Sequence, residues 1–172
     1  MLLLLKIGLL FILFCTSTFI GILISKKYSN RVNILKSLKN ALNIFEIKIN
    51  YSFETIPEIF NEISNKVGGV AGKIFADTVK NIEHKSMLAG EAWEKSVETN
   101  SSGLKKEDID CIKTLGKLLG KTDIDGQINQ IELVCTFLEK QISEADDEKH
   151  KNEKMYQKLG AIVGLILIIV LV

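Results

Sequence analysis

Uncharged apolar residues are concentrated at the two ends of this chain. Residues 7–25 form a run of 19 positions without a charged side chain. As a helix this run would be about 28 Å long, close to the thickness of a membrane's hydrocarbon core. Residues 159–172 are a second apolar run of 14 positions, extended by Met155 and Tyr156. This second run is only about 21 Å as a helix, short for a span. The pattern predicts a transmembrane helix at each end.

Each run has an alternative interpretation. A cleaved signal peptide would explain the first, but the run is longer than a usual signal core, lacks a small-residue cleavage site and continues into Lys26 and Lys27. A re-entrant tail would explain the second. Because Lys158 can extend its ammonium group to the interface, a full crossing with local membrane thinning is favoured.

Basic residues predict the orientation of the two runs. Lys6 is the one basic side chain on their outer flanks, whereas nine lie on the inner flanks. These nine are Lys26, Lys27, Arg31, Lys36, Lys39, Lys149, Lys151, Lys154 and Lys158. Since basic residues favour the cytoplasmic side of a membrane, the middle segment is predicted to be cytoplasmic, with both termini outside.

The middle segment has two long helical seams. The first follows the amino-terminal run and consists of Leu35, Leu38, Leu42, Phe45 and Ile49. The second lies on a helix that starts near Asp125 and continues into the tail, and consists of Ile128, Ile131, Cys135, Leu138, Ile142 and Ala145. Each helix has an apolar stripe to bury, so the two are predicted to pair antiparallel.

Shorter helices are predicted between the two long ones. Thr55 can cap a helix that carries Pro57 in its first turn. Two more helices cover residues 70–83 and 88–97. A fourth would hold residues 109–119.

The fourth short helix would end near Gly120, with Thr122 or Asp123 starting the return helix. The chain has a single proline and no hairpin signal, which disfavours a strand-rich fold. The predicted fold class is all-α, a membrane-anchored helical bundle whose long stem helices are continuous with the transmembrane helices. The predicted domains are residues 1–25, 26–158 and 159–172.

Composition excludes several classes of function. The chain has 22 basic and 21 acidic residues, whereas a nucleic-acid-binding surface needs a clustered basic excess. We therefore predict no nucleic-acid partner. The three cysteines are odd in number and widely spaced, which argues against a disulfide framework and against a metal site. This pattern indicates a reducing compartment.

No motif in the sequence predicts catalysis. Residues 116–122 imitate a phosphate-binding loop ending in Gly-Lys-Thr, but have one residue too few between the glycines and follow a helical pattern where the motif needs a strand. Glu132 and Glu139 have no nucleophile, metal ligand or histidine to work with. We predict a protein that is not an enzyme and takes no cofactor, metal or small-molecule substrate.

Three residues have a predicted packing role. Trp93 is predicted to anchor the core, with a protein interface as the alternative. Gly160 and Gly164 form a small-xxx-small pair in the tail. Such a pair lets another membrane helix approach closely, here either the first span of the same chain or a partner.

Three groups of residues, in one order and register, carry a family resemblance. The first stem holds Leu42, Phe45-Glu46, Ile49 and Tyr51, and the middle holds Ala92-Trp93 with Ser96. The third group is Leu115-Gly116, Leu119-Gly120, Asp123, Gln127, Leu138-Glu139, Ala145, Lys154-Met155, Leu159-Gly160 and Gly164. In these residues the chain resembles the stage III sporulation protein AB family of endospore-forming bacteria. One departure is Lys48, where that family tends to carry a second glutamate.

The resemblance implies an essential part of the channel complex that links mother cell and forespore, sited in the mother-cell membrane around the forespore. That family is in turn similar to helical domains of the inner-membrane platform protein of type II secretion and type IV pilus machines. The expected partners are therefore the other channel proteins, including the secretion-type ATPase, and membrane lipid. The alternative is a two-span membrane sensor or regulator that signals through its paired stems.

The candidate residues fall into two groups. For transmembrane helix packing they are Gly160 and Gly164. For protein interaction or packing they are Glu46, Tyr51, Trp93, Gly116, Gly120, Asp123, Gln127 and Glu139.

Overall fold

The computed structural model describes residues 2–171, and the regular elements in that range are helices joined by short loops. Its helices are α1 (Leu2–Tyr51), α2 (Ile56–Lys66), α3 (Gly69–Lys85), α4 (Ala89–Thr99), α5 (Lys106–Lys113) and α6 (Ile124–Leu171), with a 3₁₀ turn at Thr114–Lys117. The described residues include no β-strand. The predicted all-α fold is confirmed.

Helix α1 contains the first predicted seam. Leu35, Leu38, Leu42 and Phe45 are completely buried, and Ile49 is buried as well. Their spacing of three and four residues places them on one face of the helix. The continuous helix expected from the terminal run to Tyr51 is confirmed.

Helix α6 contains the second seam. Ile131, Leu138 and Ala145 are buried, whereas Ile128 and Ile142 are only half-buried. Val134, which lies outside the predicted seam, is completely buried because this side of α6 faces α5, where Cys111 Sγ lies 4.0 Å from the Val134 carbonyl oxygen.

Local hydrogen bonds set the ends of the short helices. The Thr55 N–H donates to the Glu58 carboxylate at 2.7 Å, so the predicted cap begins α2 with a glutamate in its first turn. Ile59, Phe60 and Ile63 of α2 face the core, as predicted.

The predicted helix over residues 109–119 is wrong in its second half. Helix α5 ends at Lys113, and residues Thr114–Lys117 form the 3₁₀ turn. The reason is that Gly116 packs against another backbone segment, and glycine adds little helical stability of its own. Gly120 has a positive φ of 72°, which does end this segment where predicted.

The chain divides into two units. The terminal unit comprises Met1–Val32 and Glu144–Val172, and the central unit comprises Asn33–Ser143. The core of the central unit contains the buried residues of α2, α3 and α4 together with the seam residues that lie between Asn33 and Ser143. The predicted domain boundaries were placed by membrane depth, so this division does not test them.

Within the part of the chain that the structure describes, no helix combines the length and the apolar character needed to cross a membrane. The two transmembrane helices remain a prediction.

Candidate functional site

Trp93 lies at the centre of an aromatic cluster in the central unit. Its ring centroid is 5.1 Å from that of Phe75 and 5.7 Å from that of Phe60, and Phe60 in turn contacts Phe45 at 4.9 Å. Its side chain is completely buried, and Nε1–H donates to the Ile112 carbonyl at 2.8 Å. Trp93 is therefore a core anchor that fixes α4 against α5.

Gly116 lies in direct backbone contact with Gly90 of α4. A Cβ placed on Gly90 would lie 2.1 Å from the Gly116 carbonyl oxygen, and one placed on Gly116 would lie 2.8 Å from the Gly90 carbonyl oxygen. The Trp93 ring lies 3.3 Å from the same point on Gly116. Two glycines are thus required for the 3₁₀ turn to pack on α4.

Gly120, Asp123 and Gln127 together hold the loop that leads into α6. The Gly120 N–H donates to Gln127 Oε1 at 3.4 Å, and Gln127 Nε2 donates to the Thr122 carbonyl at 3.3 Å. Asp123 Oδ1 accepts from the Gly126 N–H at 2.9 Å and so caps α6. These three residues, predicted for protein interaction or packing, therefore make contacts within the chain.

This segment does not have the geometry of a phosphate-binding loop. It follows α5 and a 3₁₀ turn, with no strand among the described residues to present it. Thr122 Oγ1 is buried and, within the described residues, makes no hydrogen bond. Across those same residues, no group of three His, Cys, Asp or Glu side chains could hold a metal ion.

Cys111 and Cys135 are buried free thiols. Burial raises the pKa of each thiol to about 11, with the nearby Glu46 carboxylate adding to the effect on Cys135. Since the thiolate is the reactive form, both cysteines are expected to be unreactive at neutral pH.

Gly160 lies at a close contact within the terminal unit. A Cβ on Gly160 would lie 3.1 Å from the Gly21 Cα, and one on Gly21 would lie 2.6 Å from the Tyr156 carbonyl oxygen. The Ser17 hydroxyl donates to the Gly160 carbonyl at 2.8 Å. Small residues on both sides let α1 and α6 approach closely.

Two further contacts flank this glycine contact. A Cβ on Gly164 would lie 2.8 Å from the Phe14 ring. Arg31 Nη1, on a side chain only 7% exposed, lies 3.0 Å from Glu148 Oε2. The partner that the structure places opposite the two glycines is α1 of the same chain.

The remaining predicted residues lie on the surface of the central unit. Glu139 is exposed and accepts from Lys39 Nζ at 2.6 Å, while Glu46 is half-buried on α1. Tyr51, the last residue of α1, is 81% exposed. Tyr51 and Glu139 are therefore candidates whose side chains are largely open to a partner.

Comparison with known proteins gives a consistent result. The family model described as stage III sporulation protein AB matches residues 6–172. The chain belongs to the stage III sporulation protein AB family. The Bacillus subtilis (strain 168) stage III sporulation protein AB is 30% identical over 167 residues, covering 96% of this chain and 97% of that protein.

A solved structure of stage III sporulation protein AB (SpoIIIAB) matches with a TM-score of 0.66 at 24% identity, over 71% of this chain and 98% of that chain. At that identity the match supports the fold alone. The resemblance inferred from the residue order is confirmed, and membership of the stage III sporulation protein AB family implies a role in sporulation.

Lys48, expected from the sequence to depart from the family pattern, forms ion pairs in this member of the stage III sporulation protein AB family. Its Nζ lies 2.5 Å from Glu62 Oε2 and 3.2 Å from Glu54 Oε2. These contacts raise the pKa of Lys48 and lower that of Glu62. A positive charge here joins α1 to α2, which a glutamate could not do.

Three exposed apolar side chains, not indicated by the sequence pattern, lie within four residues in sequence of a contact at Gly120. A Cβ on Gly120 would lie 3.4 Å from the Ala89 Cβ and 3.8 Å from Ile56 Cδ1. Leu88, directly before Ala89, is 62% exposed, and Phe53, three residues before Ile56, is fully exposed. Ile124, the first residue of α6, is also exposed.

We call Phe53, Leu88 and Ile124 the loop-end surface. Phe53 lies in the loop between α1 and α2. Its place outside any helical pattern is the one feature of the sequence that could have indicated that its side chain is exposed.

Proposed function

We propose that this protein is a non-enzymatic subunit of the secretion-like channel complex between mother cell and forespore. In this proposal both ends of the chain lie in the mother-cell membrane around the forespore. The central unit faces the cytoplasm, where it docks the complex's ATPase and its membrane partners. Family membership supports the sporulation role, and the surfaces of the two units support the remaining parts.

The apolar surface of the terminal unit supports the membrane part of the proposal. Large apolar side chains remain exposed on both of its helices, although the helices already pack through Gly21 and Gly160. A surface of this kind is unfavourable in water and stable in lipid. The exposed residues include Ile12, Phe19, Ile20, Leu23, Leu159, Ile162, Val163, Leu165, Ile166 and Ile169.

The loop-end surface is the observation that best supports binding of partner proteins by the central unit. Phe53, Leu88 and Ile124 are exposed apolar side chains of the central unit, and Phe53 and Leu88 are more than half exposed. Aromatic and aliphatic side chains of this kind supply much of the binding energy when a partner covers them. The internal hydrogen bonds of Gln127 hold the adjacent loop in place, so little ordering is needed on binding.

Gene deletion in a sporulating host tests the proposed function. We expect deletion to abolish late transcription in the forespore, and the intact gene to restore it. Phe53→Ser/Ile124→Ser should fail to restore transcription, whereas Leu133→Ser/Phe137→Ser, which removes the same kinds of exposed side chain from α6, should restore it. Normal late transcription in the deletion strain would rule out the channel role.

Partner capture and labelling test the remaining parts. The detergent-solubilised protein should co-purify with other channel proteins, and an isolated self-dimer would instead support the sensor alternative. Residue 102 lies in the exposed loop before α5. In Ser102→Cys, a membrane-impermeant maleimide should label the new thiol only after the membrane is opened. Labelling of intact cells would overturn the cytoplasmic orientation.

A further inference from the structure

A polar groove lies between α3 and α4 in the central unit, with a cavity volume of about 210 Å³. None of the candidate residues from the sequence lines this groove. The lining residues are Asp77, Lys80, Asn81, Lys85, Lys95 and Thr99.

The floor of the groove is polar and fixed. Asn81 is buried, and its Nδ2 donates to Ser96 Oγ at 3.0 Å. The Ser96 hydroxyl in turn donates to the Ala92 carbonyl at 2.7 Å. Lys85 Nζ donates to Asn81 Oδ1 at 2.9 Å, which holds one ammonium group over the floor.

The groove has more positive than negative charge. Asp77 is its one lining carboxylate, and it accepts from Lys80 Nζ at 3.2 Å and from Asn100 Nδ2 at 2.9 Å. The Asn100 hydrogen bond is the main reason that the pKa of Asp77 is lowered. This carboxylate is therefore ionised and already paired.

Two ammonium groups in the groove have no counter-charge among the described residues. Lys85 is bound to a neutral amide, and Lys95 forms no ion pair among the residues that the structure describes. Glu91 lies one helical turn before Lys95 on α4 but does not line the groove. Two positive charges thus share one concave surface with a fixed polar floor.

We propose that this groove binds an acidic segment of a protein partner, whose carboxylates pair with Lys85 and Lys95. The inference rests on the proposed role as an assembly subunit. A single free anion gains little binding energy from exposed lysines, because water and salt screen each ion pair. Several carboxylates on one chain bind more tightly, because once one is bound the others are held at a high effective concentration. The surface of the partner protein also excludes water from the ion pairs.

A labelled hexaglutamate peptide is the probe, added to the full-length protein in detergent and followed by fluorescence anisotropy. The double variant Lys85→Gln/Lys95→Gln should bind it roughly tenfold more weakly, as expected for two partly exposed ion pairs. Lys106→Gln/Lys117→Gln removes the same charge from exposed positions outside the groove and should bind like the wild type. Circular dichroism checks that both variants fold.

Three results would overturn the inference. The wild type could fail to bind the peptide, the two double variants could lose affinity equally, or inorganic phosphate could displace the peptide at an equal concentration of charge. The second result would indicate binding by net charge, and the third a site for small anions.

Carbodiimide cross-linking in sporulating cells separates this inference from the proposed function. It joins an amine directly to a carboxylate, so a cross-link from Lys85 or Lys95 to an acidic residue of another channel protein is expected. The inference fails, with the proposed function intact, if Lys85→Gln/Lys95→Gln fully restores late transcription to the deletion strain. The proposed function fails if the deletion strain itself transcribes normally, whatever the peptide binding shows.

Discussion

The contact between Gly90 and Gly116 predicts the effect of adding one methyl group. In Gly90→Ala the new Cβ would lie 2.1 Å from the Gly116 carbonyl oxygen, a backbone atom that no side-chain rotation can move. Protein Cβ contacts are not closer than 3.0 Å, so α4 and the 3₁₀ turn must separate by about 0.9 Å. The Trp93 ring, which belongs to α4 and packs against Gly116, must then move away from the 3₁₀ turn as well.

The expected loss follows from two opposing effects. Overpacking a close contact costs about 1–3 kcal/mol, and the movable groups here are backbone on both sides. Alanine regains about 1 kcal/mol of helix propensity relative to glycine in α4. Because neither backbone segment can rotate away, we take the upper part of the overpacking range, about 2–3 kcal/mol. The expected net loss is then about 1–2 kcal/mol in the free energy of unfolding, or roughly 2–8 °C in the melting temperature for a chain of 172 residues.

Trp93 is the single tryptophan, so its fluorescence reports unfolding at this contact. Urea titrations followed by its emission should give a lower midpoint for Gly90→Ala than for the wild type. Gly68→Ala is the matched control, because Gly68 has a φ of −82° and no neighbouring atom within 4 Å of a new Cβ. If Gly90→Ala unfolds at the same urea concentration as Gly68→Ala or higher, the packing argument is wrong.

Three further predictions concern single side chains. Trp93→Phe removes a hydrogen bond to a buried carbonyl and leaves a cavity, so it should lower the unfolding free energy by about 2 kcal/mol, measured by far-UV circular dichroism. Unchanged stability would contradict its role as core anchor. Lys48→Glu should lower the melting temperature more than Lys48→Gln at neutral pH, because it places a third carboxylate beside Glu54 and Glu62. The pKa of Glu62 is lowered in the folded protein, so the stabilisation is present above its ordinary value of 4.5 and is lost as the pH falls through the folded value. The wild type and Lys48→Glu should therefore differ least in strong acid, and a difference that grows there would refute this. At pH 8 a thiol with a pKa of about 11 is about 0.1% thiolate, so iodoacetamide should label Cys111 and Cys135 only after unfolding, and equal rates before and after would refute their burial.

The long helices could be predicted from sequence because their information is local. An apolar residue every three or four positions indicates a buried face, and the five residues of the α1 seam are buried as expected. The Thr55–Glu58 cap is also encoded within four neighbouring residues.

The close contact between Gly90 and Gly116 could not be predicted, because it joins residues that are distant in sequence. Gly90 is an ordinary residue near a helix start until the fold brings Gly116 against it. The same contact explains why the helix expected through Leu119 stops at Lys113. The lysines of the α3–α4 groove are likewise ordinary exposed residues until two helices place them around Asn81.

The Ser17–Gly160 hydrogen bond joins positions 143 residues apart. During translation, the amino-terminal part of α1 leaves the ribosome long before the segment of α6 that contains Gly160 has been made. The terminal unit therefore cannot close until the whole central sequence has been synthesised. A chain released early would keep its Gly21 face open, and that face would then be free to pair with an unrelated helix.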